Sequence, residues 1–116
     1  MGVLLKRAED AAAAELSANV VSYALGVPPQ NIVGDARGGL KIAYARQLAM
    51  NLCHVSFELS LSRVAVAFGR DRSTVAHACH PIEDPRDKAQ FDLWIASLEA
   101  SLRAAPAPGL PERAGA

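Results

Sequence analysis

A chain of 116 residues carrying twelve Lys and Arg against twelve Asp and Glu has no formal net charge, and it is 51% hydrophobic and 21% charged. That balance excludes a disordered polyelectrolyte tail and a membrane-embedded protein, and the length suits one hydrophobic core. No run of about 18 apolar residues could span a bilayer, and Met1 to Arg7 lacks the apolar stretch of a signal peptide, so a cytoplasmic protein is expected. Twenty-three alanines and only six aromatic residues favour helix over strand, so the expected fold class is all-α. Two cysteines, Cys53 and Cys79, are too few for a disulfide scaffold and read as reduced, semi-buried thiols.

Residues 1–7 read as a flexible segment. The spacing predicts an amphipathic helix over 8–25, with Leu16, Val20, Tyr23 and Ala24 on its inner face and Gly26 as the stop. Residues 27–33 suit a short helix entered through Pro28 and Pro29, where a missing N–H costs nothing. Gly34 to Gly39 is a loop. Ile42, Ala45, Leu48, Ala49 and Leu52 recur at helical spacing and predict a helix over 41–57. Ser60 suits the N-cap of a short helix, 61–68, that Gly69 ends. Asp71 can cap the next one, 72–80, which Pro81 is expected to curtail. After a turn at Glu83-Asp84-Pro85, Phe91, Trp94, Ile95, Leu98 and Leu102 predict a last helix over 86–103. Residues 104–116, rich in Ala, Pro and Gly, are expected to be disordered, which leaves a folded domain over 8–103.

The zero charge is an average over three blocks. Residues 1–36 carry −2, residues 37–80 carry +4 and residues 81–116 carry −2. Such polarisation matters more to phosphate binding than the total does.

The basic block holds the most informative stretch, 61–80. Two short helices joined by a tight glycine turn make a helix-turn-helix. Ala65 sits where the helices must approach. Val64 and Phe68 of the first helix, with Val75, Ala78, Cys79 and Ile82 of the second, face the core. Arg72, Ser73, Ala76, His77 and His80 then point outward, a face suited to groove edges and phosphates. A helical hairpin with a polar face is common in small α-domains, but here that face coincides with the positive block, which favours DNA.

Ala45-Arg46-Gln47-Leu48-Ala49-Met50, Ala67-Phe68-Gly69-Arg70-Asp71 and Ser73-Thr74-Val75-x-His77-Ala78-Cys79 resemble domain IV of the bacterial replication initiator DnaA, from about Val20 to Leu102. The resemblance implies a small helical bundle with a Trp-repressor-like helix-turn-helix. Its second helix would enter the major groove and a preceding basic loop the adjacent minor groove. It places Asp71, Arg72 and Ser73 at base-contacting positions, and Arg46, Thr74 and His77 at phosphate-contacting or supporting ones. Ser60, Leu61 and Ser62 would offer backbone N–H groups to a phosphate. Arg70, Lys41 and Arg37 complete the expected DNA-binding set.

The departures from the family are specific. No Gly-x-x-x-x-Gly-Lys-Ser/Thr phosphate loop is present, so no nucleotide is expected. The basic loop is reduced to Arg37 and Lys41, and one glycine stands in the turn where the family has two. Arg72 replaces a histidine, and arginine reads guanine O6 and N7, so a changed target sequence is expected.

Cys53-His54 and His77-x-Cys79-His80 match no zinc-finger spacing, so no metal is expected. Nothing resembles a nucleophile elbow, so neither an enzyme nor a cofactor is expected. The leading expectation is a sequence-specific double-stranded DNA-binding protein, associated with the nucleoid. It would regulate transcription with a partner such as a sigma-like or RNA-polymerase-contacting protein. Replication control at initiator-type origin sites is one alternative. An adaptor that has kept the fold and lost DNA contact is another.

Overall fold

A helix with apolar residues on almost every face must lie at the centre of its domain, and the helix over Leu40–Ser56 does. The computed structural model describes residues 2–34 and 38–105. Among these it has six α-helices and no strand: α1 (Gly2–Leu25), α2 (Pro29–Val33), α3 (Leu40–Ser56), α4 (Leu61–Phe68), α5 (Arg72–Glu83) and α6 (Ala89–Ala104), with a 3-10 turn at Asp84–Asp87 between the last two. The fold is an all-α bundle. Ala45, Leu48, Ala49, Met50, Leu52 and Cys53 of α3 are buried, and α3 touches every other helix. Ile42, expected on the same stripe, is half-buried at its rim.

The first helix differs from expectation at both its start and its face. It begins at Gly2, so residues 2–7 are helical rather than flexible. No breaker stands between Val3 and Ala8, and the straight-chain residues there favour helix. Its buried face is Ala13, Ala14, Ser17, Ala18 and Val21, whereas Tyr23 is 94% exposed and Ala24 is exposed. Leu16 and Val20 are half-buried. The alanines let α1 lie close against α3, and the larger side chains flank that contact instead of filling it.

Proline fixes the start of α2. Pro28 is its N-cap and Pro29 opens the first turn, where no N–H is needed. Ile32 is fully buried. Gly34 ends the helix with its N–H on the Gln30 carbonyl at 3.0 Å, and a Cβ there would lie 2.6 Å from that carbonyl oxygen.

The helix-turn-helix follows its local chemistry. Ser60 caps α4 by accepting the Arg63 N–H at 3.2 Å. Gly69 closes α4 at φ 65°, with Arg70 N–H on the Ala65 carbonyl at 2.8 Å and Gly69 N–H on that of Val66 at 3.2 Å. These two bonds form the glycine-dependent Schellman closure. Val64, Ala65 and Phe68 from α4 and Val75, Ala78, Cys79 and Ile82 from α5 are buried, as their spacing predicts.

Pro81 does not end α5, which runs on to Glu83. Proline removes only the N–H that would reach the His77 carbonyl, and fully buried Ile82 anchors the next turn to the core. The chain then tightens into the 3-10 turn, so α6 starts at Ala89 and not at 86. Ile95, Leu98 and Leu102 are buried, and the Phe91 and Trp94 rings pack tilted at 5.9 Å. Arg86 ties the turn to α6 through Asp92 at 2.6 Å and Glu99 at 3.3 Å. The 106–116 part of the tail expected to be disordered lies outside the described residues.

Candidate nucleic-acid interface

The register of α5 sorts its side chains. With Val75, Ala78, Cys79 and Ile82 turned inward, Arg72, Ser73, Thr74, His77 and His80 are exposed and Ala76 is half-buried. The outward face carries a guanidinium, two hydroxyls and two imidazoles and no large apolar group. The His77 and His80 rings stand 6.4 Å apart.

Asp71 occupies the N-cap position with φ −74° and ψ 152°, and its carbonyl accepts the Val75 N–H at 3.1 Å. Its side chain makes no capping bond, contrary to the expected cap. The carboxylate is exposed, and hydration competes with the N–H groups of the first turn. Those donors are therefore open to an outside acceptor, at the positive end of the helix dipole.

Between α3 and α5 lies an open cleft of about 360 Å³, lined by Arg46, Gln47, Met50, Arg70, Thr74 and His77 among others. Arg46 is half-buried and donates its Nη2 to the Asn31 carbonyl at 2.7 Å and its Nε to that of Ile32 at 3.0 Å. The same Nη2 lies 3.4 Å from the Gly34 carbonyl. Arg70, also half-buried, donates Nη2 to that Gly34 oxygen at 2.9 Å and Nη1 to the carbonyls of Phe68 and Gly69 at 3.2 and 3.3 Å. Two cations thus converge on one carbonyl.

Four expected site residues therefore share one wall or its edge: Arg46, Arg70, Thr74 and His77 line the cleft. Asp71, Arg72 and Ser73 stand beside it at the start of α5. Ser60 and Ser62 are exposed and Leu61 half-buried at the start of α4. Lys41 is exposed in the first turn of α3, away from the cleft lining. Arg37 lies outside the described residues. Gln47 was missed by sequence reasoning. It shares the α3 face of Ala43, Arg46 and Met50, so projecting Arg46 onto a helical wheel would have found it.

One cation of the basic block is spent elsewhere. Arg63 Nη2 meets Asp10 Oδ1 at 2.6 Å and its Nε meets Oδ2 at 2.9 Å, so the charge is neutralised by an acidic residue of α1. Burial pushes the Cys53 thiol up to about 12, opposed by the neighbouring Ser17 hydroxyl, and burial also raises Cys79. Burial thus keeps both thiols protonated and poorly nucleophilic. Among the described residues no three or more His, Cys, Asp or Glu side chains converge as a metal site. No described helix is long and apolar enough to cross a membrane.

Residues 16–82, more than half of the chain, match the family described as the bacterial dnaA protein helix-turn-helix. The chain belongs to this family. It is 36% identical over 90 residues to the chromosomal replication initiator protein DnaA of Lachnoclostridium phytofermentans, covering 72% of this chain and 20% of that protein. It is 32% identical over 74 residues to DnaA 2 of Chlamydia caviae, covering 64% and 16%. The chain thus spans about a fifth or less of the length of these curated relatives. A solved structure described as a DNA replication initiation factor superposes with a TM-score of 0.75 at 27% identity, over 88% of this chain and 32% of that one. The DnaA-type match takes in α2 through Ile82 of α5, and so contains the helix-turn-helix and both cleft arginines.

Proposed function

We propose that this DnaA-type module binds double-stranded DNA sequence-specifically, with α5 in the major groove. Asp71, Arg72 and Ser73 read base edges there. Thr74, His77 and the backbone N–H groups at Ser60–Ser62 hold phosphates, with Lys41 and Arg37 as flanking cations. The observation that carries the reading is the outward face of α5, which is polar along its length and borders the cleft between α3 and α5. The test is binding of the whole chain to a randomised duplex pool across a salt series. Selection of a shared sequence, with affinity falling steeply as salt rises, is expected. Absence of salt-dependent binding would leave an adaptor as the surviving reading.

The finer role is transcription regulation with a protein partner, such as a sigma-like or RNA-polymerase-contacting protein. What supports it is the modest free charge: with Arg63 paired to Asp10, the DNA face is thinly cationic and gains from a second tether. Genome-wide occupancy checks it. Promoter peaks are expected, and peaks confined to an origin would replace it with replication control.

A further inference from the structure

The two cleft arginines hold backbone, and that changes what they can do for DNA recognition. The last carbonyls of a helix have no partner within it. In α2, those of Asn31 and Ile32 are taken by Arg46, and the carbonyl of Gly34 by Arg46 and Arg70 together. Arg70 simultaneously holds the Phe68 and Gly69 carbonyls, which form the turn before α5. The pair therefore clamps the end of α2 to the helix-turn-helix turn, with α3 supplying one arm. The first residue of α5, Arg72, follows that turn three positions after Gly69.

We propose that Arg46 and Arg70 are positioning residues for DNA recognition: through the shared Gly34 carbonyl they fix the angle at which α5 presents Arg72 and Ser73. The inference rests on the DNA-binding reading above. It differs from a phosphate anchor in what the chemistry requires. A phosphate needs a positive charge, and lysine supplies one. Three carbonyls fanned around one side chain need the planar fork of a guanidinium, which lysine does not supply. Gly34 belongs to the same device without carrying charge. A methyl group there meets the Gln30 oxygen at 2.6 Å, so the backbone at the end of α2, next to the carbonyl the two arginines share, must shift.

The test compares Arg46→Lys, Arg70→Lys and Gly34→Ala with the unaltered chain, after circular dichroism and thermal melting show that each is folded. Affinity is measured for the best duplex selected by the unaltered chain and for a random-sequence duplex, over a salt series. For every variant that folds, the preference for the selected duplex is expected to fall by about tenfold or more. The slope of log affinity against log salt should stay within about half a unit of the original, because no phosphate contact is lost. Gly34→Ala, which removes no cation, keeps the test informative if an arginine variant fails to fold. Lysine variants, or Gly34→Ala, that keep the full preference would overturn the inference and leave the DNA-binding reading standing. An unaltered chain without salt-dependent binding would remove both.

Discussion

Arg63 and Asp10, 53 positions apart, meet in a two-point ion pair with contacts of 2.6 and 2.9 Å. The carboxylate belongs to α1 and the guanidinium to α4, so the bond joins the long first helix to the first helix of the DNA-reading motif. The Asp10 side chain is only 10% exposed and that of Arg63 is 38% exposed. Asp10 raises the Arg63 pKa, chiefly through their hydrogen bond, so the cation persists across the working pH range. Arg63→Ala leaves a nearly dry carboxylate without its partner and should cost about 1–3 kcal/mol in urea unfolding. The double variant Asp10→Ala, Arg63→Ala should recover part of that loss. Neither change should alter the salt slope of DNA binding, since this arginine faces α1.

Alkaline stability carries the signature of Cys53. Its folded pKa is raised from 9.0 to about 12, chiefly by burial, so the folded state holds the thiol proton more tightly than the unfolded state. The resulting stabilisation is complete below about pH 9 and declines as pH rises toward 12. Urea midpoints measured from pH 8 to 11 should fall less steeply for Cys53→Ala than for the unaltered chain. At pH 8 a thiol reagent should modify Cys53 only after unfolding.

The turn before α5 depends on one left-handed residue. Gly69 sits at φ 65°, and a Cβ there would meet no atom within 4 Å, so substitution costs backbone strain and no collision. Gly69→Ala should lower stability by about 1–2 kcal/mol. Gly69→Asn should cost less, because asparagine tolerates this conformation. Equal losses for the two variants would mean that space, and not backbone angle, limits the turn.

Base reading by Arg72 has its own measure. Arg72→Ala should cost about 1–3 kcal/mol on the preferred duplex and much less on random DNA. Equal losses on both would place the guanidinium on the backbone of the duplex.

The helix-turn-helix was legible because its determinants are local. Ser60, Gly69 and the inward set Val75, Ala78, Cys79 and Ile82 act within a turn or two of their own positions. The face of α1 was not legible, since hydropathy ranks Leu16 and Val20 above Ala13 and Ala18, and close approach to α3 reverses that order. Pro81 misled for a similar reason: a local rule ends the helix, and the burial of Ile82 carries it on. The charge blocks were read correctly as numbers and incompletely as a surface. Sequence places Arg63 in the basic block, and only the fold shows Asp10 across from it. Likewise, nothing in the spacing of Arg46 and Arg70 foretells a shared acceptor at Gly34, because that meeting is made by the end of α2, by α3 and by the turn before α5.

The alanine face of α1 gives this bundle an unusual way to fail. Ala13, Ala14 and Ala18 are already close to the smallest side chains available, so almost any substitution there enlarges the residue. Most cores weaken when a side chain shrinks and leaves a hole; this seam instead is pried open by growth. Variation along it is therefore one-directional. A selection for stabilised variants should return serine or glycine at those positions at most, with the compensating changes accumulating on the α3 side of the seam.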